Sequence, residues 1–270
     1  MIISHKHKYI LLRVPKTGST SLEASVRFCG GVDKDDICSK TDDANLPIQN
    51  IPLSYREDCR VHSRILSFAK EKKHLKLKLT RQENNILNFP HKWMLFFEHN
   101  TLDDLFKIPY YSKLKLINED QVKQYKTYGF FRDPLERYLS SFVFYQVWSG
   151  RTQKKSNEIS KNSFHYFTLN KLKTHNNILF RPQVDYFYFK GKQIVEPLIF
   201  DNWEEEASRM IKEIGFNPLK VYPRFKENGD TRKKLPNGKP KVTEWIDPYP
   251  KIKEIITEHF SGDIEFQNKL

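Results

Sequence analysis

The chain has 270 residues, enough to bury a sizeable core, and 14% of them are aromatic, so packing material is ample. A formal net charge of +13 favours a polyanionic partner without choosing among nucleic acid, a polyanionic cofactor and an acidic acceptor. No apolar stretch approaches the roughly 18–20 residues of a membrane span, and residues 1–8 run into a strand with no signal-peptide apolar region, so a soluble, cytoplasmic protein is expected.

Residues 9–14 read as a buried strand and residues 20–28 as a helix that Gly30 and Gly31 end. Between them lies Arg13-Val14-Pro15-Lys16-Thr17-Gly18-Ser19-Thr20-Ser21, a tight Gly/Ser/Thr loop with one lysine. A strand, such a loop and a helix start together form an oxyanion cradle: backbone N–H groups point at the anion, and the lysine and hydroxyls add charge and hydrogen bonds. The loop is not a nucleoside-triphosphatase P-loop, because Lys16 precedes Gly18 instead of following the last glycine. A lysine at the mouth of the loop can reach a bridging oxygen where charge builds as a bond breaks.

Residues 32–58 look like a long surface excursion, and apolar positions from 61 to 72 fit a helix. Cys29, Cys38 and Cys59 are odd in number and lack CxxC spacing, which suits reduced thiols better than a disulfide or zinc framework. Residues 93–97 form a second apolar run, after which Asn100 or Thr101 can cap a helix with early aspartates. Residues 128–131 form a third strand, ending at Arg132-Asp133-Pro134, with Asp133 as cap and Pro134 at the first helical position. Leu135, Leu139, Phe142 and Val143 then make an apolar stripe. Arg132 at the strand end and Ser140 eight residues on put a planar charged fork and a hydroxyl near one helix start, a grip suited to a phosphate dianion.

Residues 149–162 look like loop, 184–189 and 194–200 like strands, 203–214 like a helix stopped at Gly215, 224–241 like a basic loop, and 250–259 like a final helix. Strands alternating with helices point to an α/β fold with a central parallel sheet flanked by helices.

Both anion-binding segments resemble those of sulfotransferases that use 3′-phosphoadenosine 5′-phosphosulfate (PAPS), the Golgi-type carbohydrate sulfotransferase superfamily with its bacterial and viral relatives. Residues 14–21 resemble the family's 5′-phosphosulfate loop, and residues 131–141 its 3′-phosphate segment, in the family's order and with its Arg-to-Ser spacing. The resemblance implies one P-loop-like sulfotransferase domain over residues 1–270, with acceptor-side insertions at 32–58 and 149–180. It implies that Lys16 contacts the 5′-phosphate and the bridging oxygen. Gly18, Ser19 and Thr20, with Thr17 and Ser21, would supply donors, while Arg132 and Ser140 hold the 3′-phosphate. No metal is needed, since fixed donors do the electrostatic work.

Transfer to a hydroxyl or amine also needs a base. Of nine histidines, His99 stands between a strand end and a helix start and resembles the family's histidine-containing segment; His62 and then Glu98 are the alternatives. Phe180-Arg181-Pro182-Gln183 resembles a further family segment near the acceptor, although Leu179 stands where many relatives have histidine and His175 is not aligned with it. A basic flap at 224–241, with Arg232 and Lys233, could cover the 3′-phosphate or an acidic acceptor. The acceptor expected is a glycan, and adenosine 3′,5′-bisphosphate (PAP) the product. A nucleotide kinase or NTPase would explain only the first loop, and a nucleic-acid-binding protein only the charge and the aromatics.

Overall fold

The computed structural model describes residues 1–33, 36–38, 99–107, 115–152, 159–174, 177–223 and 240–270. The expected elements at 61–72 and 93–97 lie outside these residues, as do Cys59, His62, Glu98, His175 and most of the basic stretch with Arg232 and Lys233.

In chain order the strands are β1 (Ile2–Ser4), β2 (Tyr9–Leu11), β3 (Ile37–Cys38), β4 (Lys126–Phe131), β5 (Tyr188–Phe189), β6 (Lys192–Gln193) and β7 (Glu196–Ile199). The helices are α1 (Ser19–Phe28), α2 (Leu102–Lys107), α3 (Glu119–Gln124), α4 (Pro134–Thr152), α5 (Lys161–Asn170), α6 (Val184–Phe187), α7 (Trp203–Glu213), α8 (Val242–Trp245), α9 (Pro250–His259) and α10 (Ser261–Gln267). The main sheet has the order β3-β1-β2-β4-β7. Strands β2, β4 and β7 are parallel, whereas β1 pairs antiparallel with both β2 and β3. The sheet is therefore parallel where the two anion-binding segments leave it and mixed at one edge.

The apolar runs are continuous because both faces of the sheet are covered. Tyr9 and Leu11 of β2, with Tyr128 and Phe130 of β4, pack with Leu22 and Val26 of α1 and Ala207, Met210 and Ile211 of α7. On the opposite face Ile10 and Phe131 meet Leu102 and Leu105 of α2, Tyr186 and Phe187 of α6, and Phe266 of α10. Side chains alternate along a strand, so neighbouring residues divide between the two cores. The stripe Leu139, Phe142 and Val143 on α4 enters a third cluster with α5, α8 and α9.

Three expectations change. Residues 184–189 are not one strand: Val184–Phe187 is helical, and only Tyr188–Phe189 is extended, paired with Lys192–Gln193. Helix α4 continues through residues 149–152, and Ser160 caps α5, which the polar composition of that region conceals. Helix α10 follows α9 after the single residue Phe260, so the helix at 250–259 is not the last. By contrast, Asp133 caps α4 as expected, its Oδ1 accepting from Glu136 N at 2.9 Å.

Beneath the loop before α1, fully buried Glu23 accepts from Arg27 at 2.5 Å and stands 3.3 Å from Arg13 and 3.7 Å from the Met1 ammonium. Burial alone would raise its pKa, but the Met1 ammonium, Arg13 and Arg27 outweigh burial and hold the carboxyl below its ordinary value. Glu23→Gln strands buried cations and should cost about 3–5 kcal/mol, measured by denaturant unfolding. In the wild type this contribution is present above the ordinary glutamate value of 4.5 and is lost as pH falls through the depressed folded-state pKa. The stability gap between wild type and variant should therefore narrow in acid.

Candidate functional site

The chain leaves β2 with Leu12 still donating to Tyr128 O at 2.9 Å, then turns tightly. Val14 O is the hub of this turn, accepting from Thr17 Oγ1 at 2.9 Å and Ser19 Oγ at 3.1 Å. Lys16 (φ 65°) and Gly18 (φ 74°) both adopt left-handed backbone. A Cβ at Gly18 would stand 2.7 Å from Trp203 Nε1 and 3.1 Å from the Phe200 ring, so glycine is required by space as well as by φ. Gly18 is the N-cap of α1 and brings no side chain to cap it; Ser21 N–H turns back to Gly18 O at 3.0 Å, so the N–H groups of Ser19 and Thr20 are the ones the helix start offers to an external acceptor. Thr20 Oγ1 accepts from Arg13 at 2.8 Å, and Ser21 is buried. The hydroxyls of Thr17 and Ser19 thus shape the loop from inside, and its outward chemistry is main-chain N–H plus Lys16. The Lys16 ammonium lies 4.5 Å over the ring of Phe144 on α4.

Arg132 meets this loop directly. Its Nη1 donates to Lys16 O at 3.4 Å, its Nη2 to Glu136 at 2.6 Å, and its guanidinium lies 4.6 Å over the Phe200 ring. Phe200 therefore packs against Gly18 and carries Arg132, joining the two segments through one side chain. Ser140, partly exposed, stands one helical turn beyond Glu136 on the same face of α4, and Phe144 one turn further.

His99 approaches from the other side, its Nδ1 at 2.8 Å from Arg13 O. A carbonyl can only accept, so Nδ1 carries the hydrogen and the neutral ring keeps Nε2 as its basic nitrogen. The backbone of His99 is held too, Tyr186 OH donating to His99 O at 2.9 Å. Burial raises the Tyr186 pKa, which keeps the phenol a donor. Thr101 and Asp104 then cap α2 reciprocally, at 2.9 and 3.2 Å.

The segment around Gln183 does more than approach an acceptor. Gln183, fully buried, accepts from Arg132 N at 3.0 Å and donates to Arg132 O at 2.7 Å, reading both main-chain groups of that residue. Asp263 of α10 accepts from Gln183 N and Val184 N at 2.9 and 2.8 Å. Buried Arg137 donates to Leu179 O and Arg181 O at 3.2 and 2.8 Å. Arg181 reaches the other way, to Asp104 at 2.6 Å and Asp185 at 3.0 Å. Residues 179–186 thus tie the Arg132 turn to the His99 segment. Motif reading singled out Gln183 but could not assign its partner, and it missed Asp263 and Tyr186 because only tertiary contact gives them a role.

The model of the sulfotransferase family matches residues 1–267. The chain belongs to the sulfotransferase family. No curated protein and no solved structure matches it. Membership makes this sulfotransferase a sulfuryl-transferring enzyme, which favours that reading over the kinase and nucleic-acid readings. The mixed, mostly parallel sheet with flanking helices is consistent with an α/β sulfotransferase fold. Among the described residues no helix is long and apolar enough to cross a membrane.

Replacing Gln183 by Leu removes the partners of two main-chain groups at once. Each buried orphan costs about 1–3 kcal/mol, so Gln183→Leu should lower the thermal midpoint clearly, whereas Asp185→Asn, at a more exposed ion pair, should change it little.

Proposed function

We propose that this sulfotransferase moves a sulfuryl group from PAPS to a hydroxyl or amine of a carbohydrate acceptor, releasing PAP, within one domain spanning residues 1–270. The observation that supports this most is the contact between the loop and Arg132, at 3.4 Å and through Phe200, because one nucleotide with phosphates on both sides of its ribose needs two adjoining anion sites. The residues fit the donor. An uncapped helix start faces outward, Gly18 leaves no room for a Cβ, and an arginine fork lies beside them.

PAPS supplies an activated sulfuryl group. The residues do the rest. The N–H groups of Gly18, Ser19 and Thr20 hold the 5′-phosphate, with Thr17 and Ser21 setting the turn. Lys16 moves from the Phe144 ring to the bridging oxygen and stabilises the charge that develops there as the sulfur–oxygen bond breaks. Arg132 and Ser140 hold the 3′-phosphate. His99 Nε2 takes the proton of the acceptor as its oxygen or nitrogen bonds to sulfur, in line with the departing phosphate. The positive charge of the chain suits an acidic glycan.

Transfer of labelled sulfate from PAPS to acidic glycans, small alcohols and tyrosine peptides tests this. Glycan labelling is expected, and labelling of peptide alone would overturn the acceptor class. Lys16→Ala should lower kcat by about 10²–10³. His99→Ala should lower it by about 10²–10⁴ and remove the acid limb of the pH–rate profile. An unchanged acid limb would take the base role from His99.

A further inference from the structure

Arg132 already grips an anion. Its Nη2 donates to the Glu136 carboxylate at 2.6 Å, and this carboxylate, on the first turn of α4, is more than half exposed at 53%. The carboxylate stands on the helix face that carries Ser140 one turn later, between the two groups assigned to the 3′-phosphate. A guanidinium fork accepts carboxylate and phosphate oxygens in the same way, so the two anions compete for it. Asp133 Oδ1 fixes the Glu136 main chain through its N–H at 2.9 Å, so the helix start can stay in place while the side chain alone swings out to solvent.

We infer that Glu136 is an internal stand-in for the 3′-phosphate, an affinity-setting residue that must yield Arg132 on donor binding and reclaims it as PAP leaves. The inference rests on the assignment of Arg132 to the 3′-phosphate. Its physical content is a subtraction. Nucleotide binding loses the Arg132–Glu136 pair and brings a dianion near a carboxylate, which weakens binding of a 3′-phosphorylated nucleotide and leaves one without that phosphate untouched. Glu136 thereby lowers the advantage of a 3′-phosphate while keeping product release possible.

The test is calorimetric titration of adenosine 3′,5′-bisphosphate and of adenosine 5′-phosphate into wild type, Glu136→Gln, Glu136→Ala and Arg132→Ala. Both Glu136 variants should bind the bisphosphate about three- to tenfold more tightly than wild type, with the monophosphate changed less than about twofold. Both changes are at an exposed side chain, and thermal melts check that folding is intact. Equal or weaker bisphosphate binding in both variants, with the 3′-phosphate preference lost in Arg132→Ala, would overturn the stand-in role and make Glu136 an orienting partner or a bystander. An undiminished 3′-phosphate preference in Arg132→Ala would overturn the Arg132 assignment, and this inference with it.

Discussion

The peptide at Arg132 is held by its main chain, and much of the site follows from that. Gln183 satisfies both its N–H and its C=O, at 3.0 and 2.7 Å, where β4 has just ended. Its guanidinium is thereby left to face the loop, Phe200 and Glu136 instead of anchoring the turn. Asp263 and Arg137, both buried, hold Gln183 and its neighbours in turn, so the precision of a partly buried arginine is traced to a polar network inside the protein.

The 5′ side uses the opposite device. There the loop is shaped from within by hydroxyls bonded to Val14 O and from behind by Phe200 and Trp203, while its outer face is bare backbone at a helix start. Arg13 adds positive charge near that helix start, and Glu23 neutralises it in the interior, along with that of Arg27 in the last turn. What remains directed outward is the positive end of α1 and Lys16, a field that suits an anion without burying an uncompensated cation.

Much of this was legible in the sequence. The strand–loop–helix at 9–28 and the strand–Arg-Asp-Pro–helix at 128–142 are both present, with β2 ending earlier at Leu11 and β4 starting earlier at Lys126, because apolar runs and an Asp-Pro cap are local signals. The order of the sheet was not legible, since the antiparallel β1 is three residues long and its direction depends on a turn at residues 5–8. Nor was α6, where Val184-Asp185-Tyr186-Phe187 has strand-like composition and is turned into a helix by Asp263 capping its first N–H groups. Gln183 and Tyr186 act on residues 51 and 87 positions away, a separation no local pattern records. His99 was singled out by its place between elements, and the 2.8 Å bond to Arg13 O adds its tautomer.

The central claim is that one nucleotide spans the loop and Arg132, and a crystal structure of the protein with adenosine 3′,5′-bisphosphate tests it most directly. The account predicts the 5′-phosphate on the N–H groups of Gly18, Ser19 and Thr20 beside Lys16, and the 3′-phosphate on Arg132 and Ser140 with Glu136 turned away. A nucleotide bound elsewhere, or one whose 3′-phosphate faces solvent while Arg132 keeps Glu136, would contradict it.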